Sequence, residues 1–239
     1  MCFEHCKTLL VCVPLLIGCT HYRNDLEYDH TVEYSWTEPG VSGEFTLFEG
    51  VKWNPAISQS LQPVIDQSLV ANRNVLDLFG GPGVIAVTCA NESPRSVVLL
   101  AESTVAAACS RYNVAAHNQD SLVTVRLMDW YAVTAVPNSE KFDVIFGTLF
   151  SDESASPTQT LEQQIAFLLG CFNDNLELSG RAIAVCETKD VADQLQAAAM
   201  RSALQLEAIS NATSHWPVFE IKRPAPTVPA PVNTLPGKN

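Results

Sequence analysis

Residues 75–86, Val-Leu-Asp-Leu-Phe-Gly-Gly-Pro-Gly-Val-Ile-Ala, constrain the fold more than any other stretch of the chain. An apolar run that closes on an acid, a cluster of glycines, and a fresh apolar run predict a strand, a tight turn and a helix N-terminus. Glycine at Gly80, Gly81 and Gly83 permits positive φ and lets a ligand reach main-chain N–H groups that a Cβ would shield. The stretch predicts a nucleotide-cradling βα turn.

The chain around it repeats the alternation of strand and helix. Phe45–Trp53 reads as a strand or hairpin, and Ala56–Leu69 as a helix with proline in its first turn that leads to the organising strand. After the glycines come a helix at Val84–Asn91 and a strand at Ser96–Ala101 ending in Glu102. A helix follows at Val105–His117 with Ala106, Ala107, Ala108, Ala115 and Ala116 available for close packing, then a strand at Leu122–Leu127 ending in Asp129 and Trp130. Lys141–Gly147 and Arg181–Cys186 are apolar strands around a helix at Leu161–Phe172. A helix at Val191–Leu204 and strands at Leu206–Ile209 and Val218–Lys222 close the pattern. The expected fold is α/β: a doubly wound, seven-stranded, mostly parallel sheet with an antiparallel edge strand.

Residues 22–223 are expected to form one domain, since 239 residues suit a single sizeable core. Residues 1–21 are a separate apolar segment. Thr8–Gly18 is too short to span a bilayer but fits the apolar core of a signal peptide, and Leu16-Ile17-Gly18-Cys19 resembles a lipobox that would lipidate Cys19. The expected location is nonetheless cytoplasmic, with this stretch a core-packing segment; export or lipid anchoring through it is the alternative. Residues 224–239 are rich in proline and read as an extended, disordered tail.

Composition is globular, with 47% hydrophobic and 17% charged residues, and the formal net charge is −12. So acidic a chain is a poor general nucleic-acid binder, because phosphate contacts need a basic surface that releases counterions. A basic protein partner or a small molecule fits better, and membrane contact is expected only if Cys19 is lipidated. Of eight cysteines, Cys89, Cys109, Cys171 and Cys186 lie in apolar periodic segments and read as buried small hydrophobes. No metal site is expected.

Two cofactor classes use a glycine turn of this kind. Gly81-x-Gly83-x-x-Ala86 fits the dinucleotide fingerprint. Asp77-Leu78-Phe79-Gly80-Gly81-Pro82-Gly83 resembles motif I of the class I S-adenosylmethionine (SAM) methyltransferases, with Phe79 where many members have their first glycine. The acid chooses between them. SAM carries an ammonium and a sulfonium and no phosphate, so a carboxylate beside the turn suits it and would repel a pyrophosphate.

Over about Phe45–Arg223 the chain resembles a seven-strand, Rossmann-like methyltransferase, and more narrowly the protein-lysine group. The narrower likeness rests on Trp53-Asn54-Pro55-Ala56 and Leu127-Met128-Asp129-Trp130. The resemblance implies SAM as cofactor, held by Trp53, Asp77, Gly80, Gly81, Gly83, Glu102, Asp129 and Trp130. Glu102 is placed for the ribose hydroxyls or as a helix cap, and Asp129 with Trp130 for adenine or, for the indole, as core. After the fourth strand the lysine-modifying group carries an Asp-x-x-Tyr or Asp-x-x-Phe element, whereas here Leu149 stands at the acid and Asp152 at the aromatic. The acceptor chemistry is therefore not legible, catalytic residues are unassigned, and Phe150, Asp152 and Glu153 read as a solvated loop. The expected function is in-line methyl transfer to a protein side chain, lysine. The alternatives are a degenerate SAM-fold binding module, a small-molecule methyltransferase and an NAD-linked oxidoreductase.

Overall fold

β-branched runs make the strands of this chain, and the helices between them carry apolar residues at helical spacing. The computed structural model describes residues 30–128, 136–137, 139–151, 160–209 and 216–223. In order they form β1 (Val32–Trp36), β2 (Phe45–Phe48), α1 (Ala56–Leu61), α2 (Gln67–Val70), β3 (Asn74–Leu78), α3 (Val84–Asn91), β4 (Ser96–Ala101) and α4 (Thr104–Ala116). There follow β5 (Val123–Leu127), β6 (Phe142–Leu149), α5 (Leu161–Asn175), β7 (Leu176–Cys186), α6 (Lys189–Arg201), β8 (Gln205–Ala208) and β9 (Val218–Lys222).

Seven strands form one sheet in the order β5-β4-β3-β6-β7-β9-β8, and β1 with β2 forms a separate antiparallel pair. Strands β5, β4, β3, β6 and β7 are parallel. β9 runs antiparallel to β7 and to β8. The expected doubly wound sheet is present; its antiparallel strand is β9, one place in from the edge that β8 occupies. The strand order reverses between β3 and β6. In open sheets of this kind ligands sit outside the carboxyl ends of the strands at that reversal.

Alternation along the strands sorts the core into two layers. Val75, Leu99, Val144, Phe146, Ile183 and Val185 face one side, under α1, α3, α4 and the hairpin. Leu76, Leu78, Leu100, Ile145, Leu149 and Ala184 face the other, under α5 and α6. Gly147 belongs to this second packing: a Cβ there would come within 2.8 Å of Leu168 Cδ1.

Three elements depart from the sequence expectation. The single helix expected over Ala56–Leu69 is two, because Pro63 lacks an N–H and cannot continue α1. Asp66 restarts the chain as the cap of α2, accepting from the Leu69 N–H at 2.9 Å. β1 was not expected; four of its five residues are exposed, so it shows no alternation, and it exists because β2 pairs with it. On α4, Ala106, Ala107 and Ala108 are buried, but Ala115 and Ala116 are turned outward to different degrees.

Cys89, Cys109, Cys171 and Cys186 are buried free thiols. Burial raises the thiols of Cys109, Cys171 and Cys186 to about 12. Among the described residues no helix is long and apolar enough to cross a membrane. The expectations for residues 1–21, Cys19, Asp129, Trp130, Asp152, Glu153 and the tail from 224 lie outside the described residues.

Candidate cofactor site

The glycine turn stands at the carboxyl end of β3, beside the reversal of strand order. Its backbone conformation explains its composition. Gly81 and Gly83 have φ of +50° and +87°, and Gly83 caps α3 in the left-handed region. Phe79, where the motif commonly has glycine, also has positive φ, +64°. A phenylalanine accepts this strained geometry because its ring is 3% exposed and meets Phe167 edge-on at 6.1 Å.

Helix α4 holds the turn from below. Ser110 Oγ donates to the Gly81 carbonyl at 2.6 Å, and Asn113 Nδ2 donates to the Pro82 carbonyl at 2.8 Å. Asn113 also pairs with both backbone groups of Thr46 in β2 at 2.8 Å, so one fully buried amide ties hairpin, helix and turn together. The sequence reading passed over Ser110 and Asn113. Their signal was two polar residues, three apart, within an otherwise alanine-rich helix face.

The chain between β2 and α1 covers the turn from above. The Lys52 carbonyl lies 2.7 Å from where a Cβ on Gly81 would begin, and Trp53 Cε3 lies 3.7 Å from the same point. The Trp53 indole Nε1 is buried with no hydrogen-bond partner among the described residues.

Asp77 is 0% exposed, and neither carboxylate oxygen has a hydrogen-bond partner among the described residues. Its neighbours on that side of β3 and β4, Val75 and Leu99, place it on the same sheet face as α3 and α4. Burial first, and then the charge of Glu102, push its pKa up to about 7; the Ala86 N–H, near the carboxylate but outside hydrogen-bond geometry, offsets this in part. Such a group is costly unless a cation meets it.

Glu102 follows β4. Ser103, not Glu102, is the cap of α4, accepting from the Ala106 N–H at 3.1 Å. The cap reading of Glu102 is thereby replaced. Its Oε2 is shielded from water although the residue as a whole is only half-buried. Burial pushes it up to about 7, against the opposing effect of its own and the Gly81 backbone N–H groups.

Thus Trp53, Asp77, Gly80, Gly81, Gly83 and Glu102 are brought together at the carboxyl ends of the neighbouring strands β3 and β4. SAM fits the donor and acceptor set: an orphaned buried carboxylate for its ammonium, an unused indole N–H, a glycine cradle that a Cβ would fill, and a second acid one strand away.

The Methyltransferase small domain family matches residues 56–148, which runs from α1 through the glycine turn to the end of β6. Over this stretch the chain is similar to that methyltransferase family. Solved structures share its fold. A ribosomal protein L11 methylase from Lactobacillus delbrueckii subsp. bulgaricus superposes with a TM-score of 0.55 at 16% identity, covering 72% of this chain and 81% of its own. The M. jannaschii tRNA m1G37 methyltransferase gives 0.57 at 15% identity, covering 83% of this chain and 59% of its own. SMU.776, complexed with SAH, gives 0.57 at 15% identity, covering 81% of this chain and 57% of its own. None of the curated proteins matches the sequence.

On the other side of the reversal, the chain presents the loop that follows β6. Phe150 is 9% exposed, not solvated, and meets Trp216 edge-on at 6.0 Å. Gln164 of α5 brackets Phe150, accepting from its N–H at 3.1 Å and donating to its carbonyl at 3.3 Å. Glu187, just past β7, accepts from both the N–H and the hydroxyl of Ser151 at 2.8 Å. The loop therefore leaves the sheet from a fixed point, with aromatic and carboxylate groups beside it. Sequence reading missed Gln164 and Glu187 because their partners are on other elements.

Proposed function

We propose that the chain is a methyltransferase that modifies a protein side-chain amine, lysine, with SAM held by Trp53, Asp77, Glu102 and the glycine turn, and with Asp129 and Trp130 at the adenine. The observation that supports the placement of the cofactor is the buried, unpartnered carboxylate of Asp77 at the end of β3. When bound, SAM supplies an electrophilic methyl on a sulfonium. The chain's own residues have to orient the two reactants and exclude water, since in-line displacement gains most from positioning.

The lysine reading is supported by the chemistry beside β6. Phe150 and Trp216 pack against each other in the core where this loop begins, and Glu187 supplies a carboxylate beside it. The net charge of −12 favours a cationic partner and disfavours a phosphate backbone. One solved neighbour is named for tRNA and another for a ribosomal protein, so both acceptor classes belong in the test.

The experiment is incubation of the full chain with methyl-labelled SAM and a cell extract, followed by complete hydrolysis. Label in methylated lysine is expected. Label recovered in nucleosides, in other amino acids or in small molecules overturns the lysine reading.

A further inference from the structure

Thr148 is the next-to-last residue of β6 and is 0% exposed, yet its hydroxyl has no hydrogen-bond partner among the described residues. Alternation along β6 assigns its direction. Val144, Phe146 and Phe150 belong to the core layer under α1, α3 and α4, and Ile145 and Leu149 to the opposite layer. Thr148 therefore faces the first layer, the one that Asp77 faces.

The register makes the two residues neighbours across the strand-order reversal. Asp77 pairs with Phe146, and Thr148 lies one pleat further along β6, at the carboxyl end. The sheet thus aims two orphaned polar groups, a carboxylate and a hydroxyl, to the same face beside the strand-order reversal. A buried hydroxyl without a partner carries a desolvation cost. Valine, equally branched and common in this layer, would avoid that cost.

We propose that Thr148 binds the cofactor, its hydroxyl oxygen accepting a hydrogen bond from the ammonium of SAM's amino-acid end while Asp77 supplies the counter-charge. This rests on the placement of SAM beside Asp77 proposed above. The ligand group here is an ammonium and not a carboxylate, because a second anion beside Asp77 would be repelled. An ammonium has three N–H donors to place. One carboxylate and one neutral acceptor satisfy two directions without adding further charge to the buried site.

The test uses the full chain and calorimetric titration with SAM and with 5′-methylthioadenosine, which lacks the amino-acid end. Thr148→Val is expected to weaken SAM about ten-fold, to leave 5′-methylthioadenosine unchanged, and to keep or raise the melting temperature of the ligand-free protein. Thr148→Ser is expected to restore SAM affinity. Wild-type SAM affinity in Thr148→Val, with Asp77→Asn impaired, overturns the role of Thr148 alone. Wild-type affinity in both variants overturns the placement of the cofactor itself. Equal weakening of both ligands, or no recovery in Thr148→Ser, shows a packing role and likewise overturns the proposal.

Discussion

Asp77 Oδ2 lies 2.6 Å from the point where any side chain on Gly80 would begin. The carboxylate and the glycine therefore share one space, and Leu99 fills the rest of it, with Cγ 2.8 Å from that point. Gly80→Ala has to move Asp77, Leu99 or the turn. Overpacking of this kind costs about 1–3 kcal/mol. The variant is expected to melt several degrees lower and to bind S-adenosylhomocysteine at least ten-fold more weakly by calorimetry. Unchanged affinity would show that the position of Asp77 is not critical.

Phe79→Gly sets two effects against each other. Glycine removes left-handed strain worth about 1–2 kcal/mol, but deleting a buried aromatic ring costs about 3–5 kcal/mol. Packing wins, so urea unfolding should show a net loss of roughly 1–4 kcal/mol, the difference of these terms. A more stable variant would mean that the ring contributes little against Phe167.

The pair Asp77 and Glu102 predicts a pH dependence with a definite sign. Their ordinary values are 3.8 and 4.5, and both are raised to about 7. Between those limits the folded chain holds protons that the unfolded chain has released. Their contribution to the stability of the ligand-free protein is therefore fully present at the acid end and lost as pH rises through about 7. Asp77→Asn removes the Asp77 part, so its stability relative to wild type should grow from about pH 5 to pH 8. Denaturant midpoints across that range would check it, and a constant difference would contradict it. SAM affinity should move the other way, tightening as the carboxylates ionise.

Asn113→Ala leaves the Thr46 N–H and the Pro82 carbonyl without their partner, and the Thr46 carbonyl with only the Cys109 thiol at 3.3 Å. The expected loss is about 2–4 kcal/mol, since buried polar groups left unpaired each carry a desolvation cost. Hydrogen exchange should show β2 and the glycine turn loosening together, because one amide holds both. Loosening of β2 alone would show that the turn depends on Ser110.

The glycine turn, the order of strands and helices and the second acid were legible because each depends on neighbours in sequence. Positive φ demands glycine at Gly81 and Gly83, and apolar periodicity delimited α3, β4 and β9 to the residue. The exposed strand β1 was not legible, because it is made by pairing with β2 and carries no alternation of its own. Nor was the acceptor-side loop: Phe150 is buried only because Gln164 and Trp216 close around it from other elements.

By itself the sequence determined the fold class and the chemistry of the turn, since both follow from backbone conformation and local periodicity. Only the tertiary structure decided which polar side chains are left over. Register and burial bring Asp77 and Thr148 to one sheet face with their hydrogen bonds unmade, and they give Ser103 rather than Glu102 the cap of α4. Burial and register are properties of packed elements, and no local pattern encodes them.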